Sequence, residues 1–247
     1  MLDTLWPLLL FFAFPLVLVV WLARRQARER QQREDSLRTA AVTRGWSFDA
    51  QQSGSLQSLR WQGVTVGTRW TLEYRLHRRS KRSKNTQVHR AVWWADTFRG
   101  PASPVLFIGV PTDTQNPMLK LAQSEGVLAS MAQKAAGFAL DKGLDAYFGE
   151  EAGLEVDARL LKPVEAAGLP GFMVMAADVP QAMWLLGDGW SKSLEALVQK
   201  AGASIADRPW VLVLPRRVYV ARPAPMRTEQ DVQTMVDEGL ALVASHV

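Results

Sequence analysis

The longest apolar run of the chain comes first. Leu5 to Ala23 holds 19 residues without a charge. As a helix it is about 28 Å long, close to the roughly 30 Å hydrocarbon core of a bilayer. Trp6 and Trp21 stand at its two ends, where interfacial aromatics belong. Pro7 falls in the first turn, where a missing N–H costs little. Pro15 predicts a kink of the kind that membrane helices tolerate. The run therefore predicts a transmembrane helix over 5–23. A cleaved signal peptide would want a basic start, a shorter apolar core and a small-x-small cleavage site, and fits less well. No later stretch reads as a second span, since Val127 to Leu140 is short and carries Lys134.

The pattern then turns polar. Residues 24–44, RRQARERQQREDSLRTAAVTR, contain no Gly or Pro and are rich in helix formers. They predict a basic juxtamembrane stalk, a helix of about 32 Å that stops near Gly45, with Leu37, Ala41 and Val42 packing on the domain beyond it. Residues 45–247 predict that domain, soluble and α+β, with a sub-boundary near 112–150.

Within the domain the period is first two. Trp70, Leu72, Tyr74 and Leu76 alternate with Arg69, Thr71, Glu73, Arg75 and His77, which marks a half-buried strand. Leu59–Thr68 precedes it, with a bend or bulge expected at Gly63 and Gly67. Val88–Ala95 and Val105–Val110 complete an antiparallel β-rich stretch, and Arg78 to Asn85, RRSKRSKN, reads as a basic hairpin loop. A helical stretch comes next, from Asn116-Pro117 to about Phe148, with Leu121, Leu128, Met131, Ala135 and Phe138 near helical spacing and breaks expected at Gly126 and Gly143. The remainder reads β-α-α-β-β-α. It comprises strands at Leu154–Leu160 and Gly171–Ala177, a short helix at Pro180–Leu186, and an amphipathic helix carrying Trp190, Leu194, Leu197, Val198 and Ala201. A hairpin then turns at Pro215-Arg216-Arg217, before a last helix opened by Thr228 and Asp231 in capping-box spacing.

Charge adds direction. Only Asp3 precedes the apolar run, whereas Arg24, Arg25, Arg28, Arg30 and Arg33 come after it. The positive-inside rule places the N-terminus outside and the C-terminal domain in the cytoplasm. Arginine outnumbers lysine 21 to 8, which suggests a GC-rich bacterial genome and hence a bacterial inner membrane. Residues 60–99 carry ten Lys/Arg against two acids, and 100–247 carry twelve against seventeen. A basic half near the membrane thus precedes a mildly acidic one.

Candidate chemistry is sparse. The absence of cysteine excludes disulfides, thiolate zinc sites and a cysteine nucleophile. Metalloprotease, dinucleotide, phosphate-loop and serine-hydrolase motifs are missing, and no cofactor is implied. Gly187-Asp188-Gly189 reads as a turn between helices. The pairs Glu150/Glu151 and Asp237/Glu238 read as solvated helix surface. His77 and His89 are expected to face each other across the basic hairpin as exposed strand residues, with only Glu73 and Asp96 nearby, too few for a metal.

The basic segments are the main surface feature. Arg24, Arg25, Arg28, Arg30 and Arg33 on the stalk, with Arg78, Arg79, Lys81, Arg82 and Lys84 on the hairpin, suit an anionic surface. Membrane lipid and an acidic protein are the expected partners. Nucleic acid fits poorly, because the adjacent strand residues Trp93 and Trp94 face opposite sides and at most one lies exposed for stacking.

The run GFMVMAADVPQAMWLL and, after it, WVLVLPRRVYVARP, behind an N-terminal span, resemble a widespread type of bacterial membrane-anchored protein of unknown function. The resemblance implies an uncharacterised family and assigns no catalytic residue. Strands with a terminal helix also resemble pleckstrin-homology-like barrels, from which the interposed helices depart. The leading expectation is a membrane-tethered binding or scaffolding module. The alternative is a membrane-associated enzyme whose pocket is assembled from distant residues. For the topology, a reporter at the C-terminus should fluoresce as a cytoplasmic fusion and be inactive as a periplasm-only enzyme. Periplasmic enzyme activity there would reverse the orientation.

Overall fold

The computed structural model describes residues 5–81, 84–96, 100–110, 140–149, 155–164, 168–199 and 208–244, with side chains described for these except at 5–16, 78–87 and 188. The protein is α+β. Among the described residues nine strands form one antiparallel sheet, and helices pack against both of its faces. The expected helix onset at Asn116-Pro117, Gly126, the pair Glu150/Glu151 and Ala201 lie outside the described residues.

Helix α1 runs unbroken from Leu5–Thr43, 39 residues joining the apolar run to the stalk. Its end is set by Gly45, at φ +71°. Trp46 N–H reaches back to Ala41 O at 2.9 Å and Gly45 N–H to Val42 O at 3.0 Å, the paired bonds of a glycine C-cap. Leu37 and Ala41 are buried as expected, but Val42 points away and is exposed. Val17 to Leu22 are 42–64% exposed on every side of the helix. Among the described residues no helix is long and apolar enough to cross a membrane, and the described side chains of α1 begin only at Val17.

The strands are β1 Ser47–Ser53, β2 Leu56–Thr65, β3 Thr68–Lys81, β4 Lys84–Ala95, β5 Val105–Gly109, β6 Lys162–Pro163, β7 Phe172–Ala176, β8 Trp210–Leu214 and β9 Arg217–Arg222. Their order is β1-β2-β3-β4-β9-β8-β5-β7-β6. This is an open order with β1 and β6 at the edges, so the described residues do not show a closed barrel. Strands before and after residues 112–150 share the sheet, because β4 pairs β9 and β5 pairs both β7 and β8. The other helices among the described residues are α2 over residues 140–147, α3 Val179–Leu185, α4 Ser191–Gln199 and α5 Glu229–Ala244.

The sheet is covered unequally, and the sequence pattern shows why. In β5 every residue is buried. Val105 and Phe107 join the core under α1, α3, α4 and α5, while Leu106 and Ile108 join a second core under α2 and the 155–161 segment. Strands β8 and β9 divide their residues likewise. These strands read as continuous apolar runs because both faces are covered. Strand β3 keeps its alternation because among the described residues only one face is: Trp70, Leu72, Tyr74 and Leu76 are buried and Arg69 and His77 exposed.

Several local expectations change. Strands β3 and β4 continue through the expected loop, pairing Arg78 with Gln87 and Lys81 with Lys84. The basic segment is therefore mostly ladder and not loop. Strand β1 carries no apolar alternation, and its pairing to β2 comes from tertiary context. Gly63 is no bulge; it pairs with Trp70 and lies under the Trp70 and Trp46 rings. Gly67 does turn the chain, since Val66 and Gly67 both have positive φ, as a two-residue hairpin turn requires. Gly143 lies within α2 against Trp210 and does not break it. The strand expected over Leu154–Leu160 is replaced, from 155 on, by turns in which Asp157 accepts from the Arg159 and Leu160 N–H groups. An aspartate-led turn competes successfully with the alternation there. Residues Gly187-Asp188-Gly189 form part of a π-helical turn, Leu186–Trp190, joining α3 to α4.

The last helix begins as expected: Asp231 N–H donates to Thr228 Oγ1 at 3.2 Å and Thr228 N–H to Asp231 Oδ2 at 2.8 Å. Its pair Asp237/Glu238 is not simply solvated surface. Glu238 is buried and meets Arg222 at 2.9 Å, while Arg222 donates to Leu197 O at 3.2 Å. Burial holds the Arg222 guanidinium below its ordinary value, with Glu238 opposing. Removing either partner of such a pair costs about 3–5 kcal/mol. Beside it, Gly239 lies flat on the Trp93 indole, which leaves no room for a Cβ. Gly239→Ala should therefore lower stability by about 1–3 kcal/mol through overpacking, read as a shifted denaturant midpoint. An unchanged midpoint would contradict that contact.

Candidate functional site: a basic groove on the open half of the sheet

Among the described residues α2 covers only part of its face, and a groove is left over β2, β3 and β4. Its volume is about 1360 Å³, beyond the roughly 300–1,000 Å³ of small-molecule pockets. Among the described residues its lining holds six Lys/Arg (Arg60, Arg69, Arg75, Arg90, Lys142 and Arg217) against the three acids Glu73, Asp96 and Asp145.

Register explains the assembly. Ser58, Arg75 and Arg90 lie on one rung across three strands; Arg60, Glu73 and Val92 form the next; Gln62, Thr71 and Trp94 the third. Arg75 and Arg90 are thus directly opposed, an unfavourable like-charge pair. The fold relieves it locally. Arg75 Nε donates to Glu73 Oε1 at 2.7 Å, and Ser58 Oγ donates to the same oxygen at 3.1 Å. Arg90 donates to Asp145 O at 3.1 Å, near the C-terminus of α2, where the helix dipole favours a cation. Gly149, at φ +91°, brings its backbone close to the same guanidinium.

One end of the groove is aromatic. The Arg60 guanidinium lies 5.6 Å from the Trp94 ring centre, and Trp94 packs against Tyr219 with centroids 6.2 Å apart. Trp93, on the opposite face, is fully buried, so only one of the two adjacent tryptophans reaches this side, as expected. Arg217 Nε pairs with Asp96 at 2.5 Å and Nη1 donates to Tyr219 OH at 2.9 Å. Burial opposes the Arg217 charge, but Tyr219 and Asp96 outweigh it and raise its pKa. Burial also pushes the Tyr219 phenol up, against Arg217.

The residues singled out from the sequence lie elsewhere. Arg24, Arg25, Arg28 and Arg30 are exposed along α1; Arg25 pairs with Glu29 at 2.9 Å. Arg33 instead turns into the domain, donating to Met226 O, with its charge near enough to Tyr74 to act on the phenol. The backbones of Arg78, Arg79, Lys81 and Lys84 lie on the β3–β4 ribbon, and Arg82 lies outside the described residues. His77 and His89 do not face each other. His77 pairs with Val88 and His89 with Leu76, so the two rings take opposite faces. His77 is exposed in the groove. His89 accepts or donates at 2.7 Å to Tyr74 OH beneath α1, where burial, then Arg227 and Arg33, lower its pKa. Burial raises the Tyr74 phenol, with Arg33 opposing. Among the described residues no group of three or more His, Asp or Glu could hold a metal.

The groove residues are visible in the sequence as the polar side of the β3 alternation. Which neighbours share that face is not, because it depends on the β2 and β4 registers. Comparison of the chain with protein-family models, curated proteins and solved structures returned no match.

Proposed function

We propose that the chain is a membrane-tethered binding module, and that its basic groove takes an acidic segment of a partner protein. The carrying observation is the groove's composition and size: six cationic side chains among its described lining residues, and a volume larger than that of a small-molecule pocket. Rungs of alternating Arg, polar and aromatic side chains suit an extended chain carrying carboxylates, since guanidinium groups bind carboxylates in fork geometry. The tether reading rests on the uncharged run from Leu5 to Ala23 and on the all-round exposure of Val17 to Leu22. A helix apolar on every side needs either a protein core or a bilayer around it. The arginine asymmetry puts the domain on the cytoplasmic side of a bacterial inner membrane, in keeping with the resemblance to bacterial membrane-anchored proteins.

The test uses a fluorescent Glu-rich peptide as probe and the full chain in detergent. Binding should weaken steeply with salt and fall about tenfold in Arg60→Gln/Arg69→Gln, a change of ~1.4 kcal/mol. Equal affinity in the wild type and the double variant, or no binding at low salt, would overturn the groove assignment.

A further inference from the structure

Helix α1 and the β3–β4 ribbon run side by side. Several contacts set their relative level. The Trp46 ring meets Trp70, near the start of β3, with centroids 5.0 Å apart. One turn or more earlier in α1, Arg38 lies over Phe48, 5.4 Å from its centre, and Phe48 is aligned through Trp61 with Leu72. Further toward the N-terminus, Glu34 accepts from Gln57 at 2.5 Å, and Gln57 pairs with Leu76. Going backward along α1 therefore means going forward along β3. The N-terminal end of the helix and the tip of the ribbon point the same way.

They also reach equally far. From Glu34 to Ala23, the polar end of the apolar run, is about 17 Å at helical rise. From Leu76 to Lys81, the last paired residue of β3, is about 17 Å at strand rise. Strand β2 stops pairing at Leu56 with His77 and β9 reaches only Ala91, so residues 78–81 and 84–87 form a two-stranded extension beyond their neighbours. That extension carries Arg78, Arg79, Lys81 and Lys84 and no acid.

From this alignment we infer that the ribbon is a second membrane foot, which seats on the anionic lipid surface at the level where α1 leaves the bilayer. The inference rests on the tether reading. One attachment point would leave α1 and the domain docked on it free to tilt together and to turn about the helix axis. Two attachment points fix its orientation and hold the groove at a constant attitude to the membrane. Each Lys/Arg close to an anionic leaflet strengthens such attachment about fivefold, a ~1 kcal/mol effect. The attachment is screened beyond the Debye length, about 8 Å at physiological ionic strength.

The chain has no cysteine, so a single introduced thiol labels one place. Full-length protein carrying Ser80→Cys or, as control, Val66→Cys is labelled with an environment-sensitive fluorophore and reconstituted into vesicles containing headgroup-level quencher lipid. Val66 is 95% exposed in the turn at the far end of the β2–β3 hairpin. The label at position 80 should be quenched in vesicles rich in phosphatidylserine, and the label at 66 should not. Quenching at 80 should be lost in wholly zwitterionic vesicles and when Arg78, Arg79, Lys81 and Lys84 are all changed to Gln. Protein that fails to float with vesicles after alkaline extraction would overturn the tether, and this inference with it. Protein that floats but shows no quenching at 80, or quenching indifferent to lipid charge, would overturn the second foot alone.

Discussion

The docking of the last three turns of α1 onto the sheet is the constraint on which the other features depend. Leu37 and Ala41 enter the main core, and each large aliphatic side chain buried in this way contributes about 1.5–3 kcal/mol. Polar contacts fix the angle. Arg33 reaches Met226, Glu34 reaches Gln57, and Arg44 pairs with Glu229 at the start of α5. The glycine cap at Gly45 then returns the chain directly into β1. A stalk that ended in a flexible linker would leave the ribbon and groove with no defined relation to α1.

Unequal covering of the sheet is the second organising fact. Strands β5, β8 and β9 lie between two cores, whereas β2 and β3 have one. The half covered on both faces supplies rigidity, reinforced by the buried Arg222–Glu238 pair and the contact of Gly239 with Trp93. The half covered on one face supplies an accessible polar surface. The directly opposed Arg75 and Arg90 are a local cost that a purely structural surface would avoid, and departures of this kind concentrate at functional sites.

Much of this is legible in the amino-acid pattern, and the failures have physical causes. The strong local signals hold: the alternation of β3, the β8–β9 hairpin, and the capping box of α5. Strand β1 escapes a reading by pattern because SFDAQQS has no apolar alternation and is held as an edge by its neighbour. The basic segment reads as a loop because charge and serine outweigh β-propensity locally, yet the strand pairing carries on through it. Glu238 reads as surface because nothing nearby in sequence shows Arg222 waiting across the core. Helix α1 is legible as a helix, but its alignment with β3, on which the level of the ribbon depends, exists only in the fold.

That alignment can be measured directly by the distance between spin labels at Arg24→Cys and Val66→Cys in full-length protein reconstituted into lipid. With α1 antiparallel to β3 and rigidly docked, the two positions lie at opposite ends of the assembly. Helical and strand rises place them ~45–50 Å apart. A single narrow distribution near that distance is the predicted result. A broad distribution, or a separation much shorter than that, would mean that the helix and the sheet do not move as one body.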